Sequence, residues 1–190
     1  PDTTENPYFV PRVRLVKGSH IIVPKLYEGA HPYILQQEDG RIIFTIPYEN
    51  KYTLIGTTDV PFEGNASEVH IEENEIDYLC AAVNKAFKKQ ITPQDIVWTY
   101  SGVRSLVDDG KKSASKVTRD YKLYMDERFG PAILSVFGGK LTTYRALAEH
   151  AVDKISTFYP KRKLMAWTDK GILPGGDILK GDFDAFLQKQ

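Results

Sequence analysis

Short apolar segments separated by glycine and proline occupy the first sixty residues of the chain. Each segment is rich in β-branched or aromatic residues, and they cover residues 12–16, 20–23, 33–36, 41–46 and 52–57. Strand-like segments with turn residues at this spacing predict an antiparallel meander. The pair Asp39-Gly40 between the third and fourth segments is typical of a tight hairpin.

Two later stretches change to a helical period. Between residues 72 and 89, apolar residues recur at steps of three and four, with acids at the start and lysines at the end. Residues 142–158 repeat this pattern, and residues 182–188 indicate the start of a further helix. Strand-like segments at 96–103, 117–125 and 132–137 lie between them. The sequence therefore predicts an α+β fold, with an antiparallel or mixed sheet and helices packed on it.

Composition excludes several classes of function. Lys plus Arg and Asp plus Glu are each 25, whereas a nucleic-acid-binding module usually carries a basic excess. Cys80 is the single cysteine and no HExxH spacing occurs, so we expect neither a disulfide nor a metal site. The apolar runs are far shorter than a membrane span, so we expect any membrane association to be peripheral.

A glycine pair precedes the second helix in the segment Gly138-Gly139-Lys140-Leu141-Thr142. It is not a P-loop, because leucine follows the lysine where that motif requires serine or threonine. A strand, a glycine turn and a helix N-terminus can still receive an anionic or electron-rich ligand. The alternative is an ordinary strand–turn–helix junction with Lys140 in solvent.

Three arginines lie in or beside predicted strands, at Arg41, Arg104 and Arg119. Arginines that face a common cleft bind phosphate or carboxylate through their planar fork of N–H groups. The alternative for each of them is cross-strand ion pairing, since aspartates lie nearby in sequence.

Four motifs occur in order: VRLVKGSHI at 13–21, IGTTD at 55–59, IVWTYSGVR at 96–104 and LSVFGGKLTTYR at 134–145. Together they closely resemble the FAD-dependent glycerol-3-phosphate dehydrogenases of aerobic bacteria, within the D-amino-acid-oxidase-like flavoprotein superfamily. Each motif alone is weak, but four in this order and spacing are specific. The resemblance extends from about residue 13 to residue 176.

The chain departs from that family in two ways. It lacks the GxGxxG that binds the FAD pyrophosphate, and Ser105 stands where the family usually has proline. We therefore expect a fragment that is inactive alone and binds FAD weakly or not at all. The mostly polar residues at 1–11 are predicted to form a loop or ragged end. The resemblance implies mainly a substrate-binding (cap) region, with part of the flavin domain, at 12–135. It implies a strand–turn–helix part of the FAD-binding domain at 136–178 and the start of a truncated helical domain at 179–190.

The resemblance also implies roles for individual residues. His20 would act as the catalytic base, and Lys140 would stabilise negative charge on the reduced cofactor. The expected substrate-binding residues are Arg41, Arg104 and Arg119, and the expected cofactor-binding residues are Thr57, Thr58, Gly139, Lys140, Leu141 and Thr142.

The implied function is oxidation of sn-glycerol 3-phosphate to dihydroxyacetone phosphate by hydride transfer to FAD, with electrons passed to quinone. One alternative is a glycerol-3-phosphate oxidase that uses oxygen, and another is a non-catalytic domain that binds a metabolite or protein partner. The resemblance implies a cytoplasmic protein, bound peripherally to the inner face of the membrane through regions outside this chain. The oligomeric state is left open, with a homodimer as one alternative.

Overall fold

A computed structural model describes residues 12–108, 120–128, 130–159 and 165–189. These residues form two compact units that divide between residues 120 and 121. The predicted loop at 1–11, Arg119 and the first part of the predicted strand at 117–125 lie outside the described residues.

In the described part of the first unit, six strands form one antiparallel sheet. They are β1 (Val13–Pro24), β2 (Tyr33–Gln36), β3 (Ile42–Tyr48), β4 (Tyr52–Gly56), β5 (Val60–Pro61) and β6 (Trp98–Val107). β6 pairs along one edge of β1, while β4 and β5 follow one another along its other edge. β3 and β2 extend the sheet beyond β4. The predicted α+β class, the antiparallel meander and the hairpin at Asp39-Gly40 are confirmed.

Helix α1 (Glu73–Ala86) covers one face of this sheet, which we call the covered face. As predicted, acidic residues in its first turn and Lys85 in its last turn interact favourably with the helix dipole. The core between helix and sheet is formed by fully buried aliphatic side chains: Ile21, Val23, Ile43, Ile55, Leu79 and Val83. Burial of these side chains is the main source of stability in this unit.

The predicted break between residues 16 and 20 is wrong, because β1 continues through Gly18. Gly18 pairs with Gly102 of β6, and the space that a Cβ would need at Gly18 is filled by the guanidinium of Arg104. This glycine therefore permits close approach of a side chain within a strand, rather than a turn.

In the second unit, β7 (Lys122–Asp126) and β8 (Ile133–Phe137) form an antiparallel pair. A 3₁₀ turn at Leu141–Thr143 leads into α2 (Tyr144–Ser156), and α3 (Phe183–Leu187) follows later. The three predicted helices are therefore present, each somewhat shorter than predicted. The apolar side of α2 stays partly exposed in the described residues, including Val152 and Ile155.

Candidate functional site

Alternation along β1 separates two kinds of residue. Lys17 and Ser19 are buried on the covered face, while Gly18 and His20 face the other side of the sheet, which we call the open face. Large apolar side chains remain partly exposed there, including Phe44, Ile46, Trp98 and Tyr100. An exposed apolar surface of this kind is typical of a ligand or interaction site.

His20 is held rigidly on the open face. Its ring stacks on the ring of Tyr100, with centroids 4.7 Å apart and planes 7° from parallel. Gly56 lies beside it, and a Cβ at that glycine would overlap the imidazole. Burial, and then the positive charge of Arg104, lower the pKa of His20 to about 4. The imidazole is therefore neutral at pH 7. Its Nδ1 is buried and has no hydrogen-bond partner among the described residues.

Arg104 lies over Gly18, close enough to His20 to affect its pKa. Its Nη1 is 3.1 Å from Asp59 Oδ1, and its Nη2 donates to Thr57 Oγ1 at 3.1 Å. The side chain is partly exposed, and a guanidinium fork is a group that binds anions. Of the two interpretations for this arginine, ion pairing is present, and one partner is Asp59.

A row of two glycines separates the strand positions of these two side chains. Gly18 pairs with Gly102, one row from the His20–Tyr100 pair and one row from the Val16–Arg104 pair. Rows on one face of a sheet are about 6.6 Å apart. A Cβ at Gly102 would meet no atom within 4 Å among the described residues. The guanidinium of Arg104 therefore covers the Gly18 side of this row, and the Gly102 side is open to a small molecule.

The structure places Arg41 differently. It lies just before β3, where its guanidinium stacks on the Tyr78 ring of α1, 3.7 Å from the centroid, and pairs with Asp39 at 2.6 Å. Burial by itself would lower the pKa of Arg41, but Asp39 and, further down the order of causes, Asp59 raise it. The guanidinium of Arg41 thus contacts Asp39 and Tyr78 beside α1, although the carboxylate of Asp59, which binds Arg104, also raises its pKa.

The two predicted threonines have opposite surroundings. Thr57 accepts a hydrogen bond from Arg104 and so belongs to the open-face cluster. Thr58 is buried, and its hydroxyl donates to Glu75 Oε1 at 2.6 Å on the covered face. The proton of the Thr58 hydroxyl is therefore already used in a hydrogen bond inside the protein.

In the second unit, the predicted turn after β8 is present. Gly138 and Gly139 adopt φ values of 75° and 102°, and the backbone N–H of Lys140 donates to Thr143 Oγ1 at 3.2 Å. Lys140 is exposed, and Leu141 is 88% exposed. The turn therefore brings a flat backbone segment and the start of a helix to the surface, which can receive an electron-rich ligand.

Sequence reasoning missed Asp59 and Tyr100, the partners of the arginine and the histidine. It also missed that Gly18, Gly56 and Gly102 gather on one face, because that depends on strand register. Alternation within the single motif WTYSGVR could have placed Tyr100, Gly102 and Arg104 on one side of a strand. Across the described residues, no helix is long and apolar enough to cross a membrane, and no cluster of His, Cys, Asp or Glu could hold a metal ion.

The sequence matches the family described as FAD dependent oxidoreductase over residues 3–145. The chain is 52% identical to the aerobic glycerol-3-phosphate dehydrogenase of Escherichia coli (strain K12), over 93% of this chain and 35% of that protein. It is 54% identical to a glycerol-3-phosphate dehydrogenase of Pseudomonas tolaasii, over 87% of this chain and 32% of that protein. It is also 49% identical to the D-erythritol 1-phosphate dehydrogenase of Brucella abortus, over 92% of this chain and 34% of that protein.

Among solved structures, the chain resembles the glycerol-3-phosphate dehydrogenase from Bacillus halodurans complexed with FAD. The TM-score is 0.64 at 26% identity, covering 84% of this chain and 29% of that one. The chain thus spans about a third of the length of the curated relatives it matches.

Proposed function

The chain belongs to the family of FAD-dependent oxidoreductases, and on that basis we propose that it is part of a flavoenzyme that oxidises sn-glycerol 3-phosphate to dihydroxyacetone phosphate. The observation that carries this proposal is the position of the Arg104 guanidinium over Gly18, beside His20 on the open face. A cation beside a neutral imidazole suits a small molecule with a phosphate at one end and a nearby secondary alcohol.

Each side chain has a defined part in this reaction. Arg104 binds the phosphate and orients the substrate, because its fork of N–H groups matches phosphate oxygens. Asp59 and Thr57 hold the guanidinium in place. His20, neutral at pH 7, accepts the proton of the C2 hydroxyl, and the stacked Tyr100 keeps its ring from turning. Bound FAD supplies the acceptor for the hydride that leaves C2.

The residues present fit a flavin. In the second unit, Gly139 has a positive φ and leaves its backbone without a side chain of its own, and the start of α2 follows. We propose that the backbone of Gly139, Leu141 and Thr142 holds the cofactor, with the exposed ammonium of Lys140 favouring its negatively charged reduced form. Arg41 and Arg119 remain proposed substrate-binding residues, and Thr58 remains a proposed part of the flavin junction.

A second substrate is supported by a specific comparison. The relative from Brucella abortus is named a D-erythritol 1-phosphate dehydrogenase, and it is nearly as similar to this chain as the glycerol-3-phosphate dehydrogenases are. Both substrates carry a phosphate and a secondary alcohol, so the same cation and base would serve either. The open space above Gly102 is compatible with a longer polyol.

For the electron acceptor we propose a quinone, since the Escherichia coli relative is named an aerobic enzyme. A quinone dissolves in the membrane, so the protein would work at the inner membrane face through peripheral contact. Transfer to oxygen is the alternative, and a homodimer stays a prediction.

The proposal is tested with the FAD-loaded protein that carries these residues. We expect anaerobic bleaching of the flavin by sn-glycerol 3-phosphate or D-erythritol 1-phosphate, and none by glycerol, which lacks the phosphate. Reoxidation by a water-soluble quinone much faster than by oxygen would support the quinone proposal, whereas rapid formation of hydrogen peroxide would favour the oxidase. Binding of either phosphate without bleaching would favour the non-catalytic alternative.

A further inference from the structure

A buried carboxylate on the covered face is not used by the proposed chemistry. Glu75 lies in the first turn of α1 and is 4% exposed. Its Oε2 is 2.8 Å from Lys17 Nζ and accepts from the backbone N–H of Glu72 at 3.0 Å. Its Oε1 accepts from the hydroxyls of Thr58 at 2.6 Å and Ser19 at 2.9 Å. Each oxygen thus receives two donors, which uses the full acceptor capacity of an ionised carboxylate.

The donors belong to the segments that carry the open-face cluster. Thr58 lies between Thr57 and Asp59, the two residues that contact the guanidinium of Arg104. Its Oγ1 also accepts from the backbone N–H of Ser19 at 2.9 Å. Ser19 directly precedes His20, and its hydroxyl lies 2.8 Å from that of Ser101 on β6. One carboxylate therefore ties β1, β6 and the 57–59 segment together from behind the sheet.

We propose that Glu75 is a positioning residue: it holds the 57–59 segment, and through it Arg104, in the orientation that binds the substrate phosphate. This inference rests on the proposed function for the identity of the ligand, but not for the placement of Arg104. A second cation or an ordinary hydrophobic contact could not replace Glu75, because all the groups that point at it are donors.

The substitution Glu75→Gln tests this directly. Glutamine keeps the shape of the side chain and one acceptor oxygen. Its NH₂ group is a donor and replaces the second acceptor oxygen, so it faces either the Lys17 and Glu72 donors or the Thr58 and Ser19 hydroxyls. Glu72→Gln is the matched control, because the Glu72 side chain also contacts Lys17, at 3.0 Å, yet is 57% exposed. Among the described residues, it forms no hydrogen bond with Thr58 or Ser19. Thr58→Val removes the hydroxyl, and with it both the bond to Glu75 and the bond from the Ser19 N–H, whereas Thr58→Ser keeps both.

The first readout needs no activity. In ¹⁵N-labelled chain, the Nε–H signal of Arg104, assigned by its loss in Arg104→Lys, should shift or broaden in Glu75→Gln and in Thr58→Val. It should match the unsubstituted chain in Glu72→Gln and Thr58→Ser. If Glu75→Gln does not fold, Thr58→Val carries the test. An unchanged Arg104 signal in the folded variants would overturn the proposal.

The second readout is kinetic, in the FAD-loaded protein. Glu75→Gln should raise KM for the polyol phosphate at least fivefold while kcat changes less than twofold, since phosphate binding is made in the ground state as well. Glu72→Gln should leave both within twofold, and Glu75→Gln with Thr58→Val should do no more than either alone. Equal losses of kcat in Glu75→Gln and Glu72→Gln would indicate a merely structural role and overturn the proposal. A changed Arg104 signal without any turnover by the unsubstituted protein would instead refute the proposed function.

Discussion

Ile42 and Ile43 are neighbours on β3, yet Ile43 is fully buried beside α1 while Ile42 is 45% exposed on the open face. The same contrast holds on β1, where Ser19 takes part in the buried network and His20 faces the open side. Both faces contain apolar side chains, but only one face is closed by α1. On the open face Val16, Ile22 and Leu106 are buried, while Ile42, Phe44 and Trp98 stay exposed. In this sheet, residues that pack in the core beneath α1 alternate along the same strands with residues that face the candidate ligand site.

The largest expected effect comes from breaking the covered face. Ile43→Ala should lower the free energy of unfolding by about 2–5 kcal/mol, because it leaves a cavity in the core. Ile42→Ala, the matched control one residue away, should cost less than about 1 kcal/mol. Denaturant midpoints of the purified variants measure both. Similar losses for the two isoleucines would mean that the open face is also a packed core.

On the open face, Arg104→Ala should reduce kcat/KM for the polyol phosphate by at least about 30-fold. Loss of a charge-assisted contact to a desolvated anion costs about 2–5 kcal/mol. Arg104→Lys should recover only part of this, because an ammonium lacks the planar fork. Arg41→Ala is the comparison across the sheet. A loss of kcat/KM within threefold, with lowered stability, would place Arg41 in the structural cluster with Asp39 and Tyr78, whereas a 30-fold loss would support its predicted role in substrate binding.

A smaller effect concerns pH. Folding lowers the pKa of His20 from 6.5 to about 4, so protonation favours the unfolded chain. The stability contribution of neutral His20 is present above pH 6.5 and is lost as the pH falls towards 4. Between pH 7 and pH 5 this loss should be about 2 kcal/mol. His20→Gln should flatten that part of the profile, and a ¹⁵N titration should give His20 a midpoint near 4. A midpoint near 6.5 would show that the ring is not sequestered.

The smallest expected effect on stability is at Lys140. Because its side chain is exposed, Lys140→Met should change the free energy of unfolding by no more than about 0.5 kcal/mol. If the ammonium favours the reduced cofactor, turnover in the FAD-loaded protein should nevertheless fall. Unchanged turnover together with unchanged stability would identify Lys140 as an ordinary lysine in solvent.

The local elements and the family follow from the order of residues along the chain. Period-two and period-three-to-four patterns predicted the meander and helix α1, and Asp39-Gly40 predicted the hairpin between β2 and β3. These features depend on residues that are close together along the chain, so their pattern can be read from the sequence. The glycine turn before α2 was predicted for the same reason.

The contacts between distant residues follow from the tertiary structure. Arg104 reaches Asp59 and Thr57, separated from it by 45 and 47 positions along the chain, because β6 and the segment after β4 lie on opposite sides of β1. Gly18 looks like a break in the sequence but is the space that the guanidinium occupies. Strand register sets these contacts, and a shift by one residue would move every side chain to the other face of the sheet. Register is chosen by the burial of a whole face at once, so no single segment can reveal it.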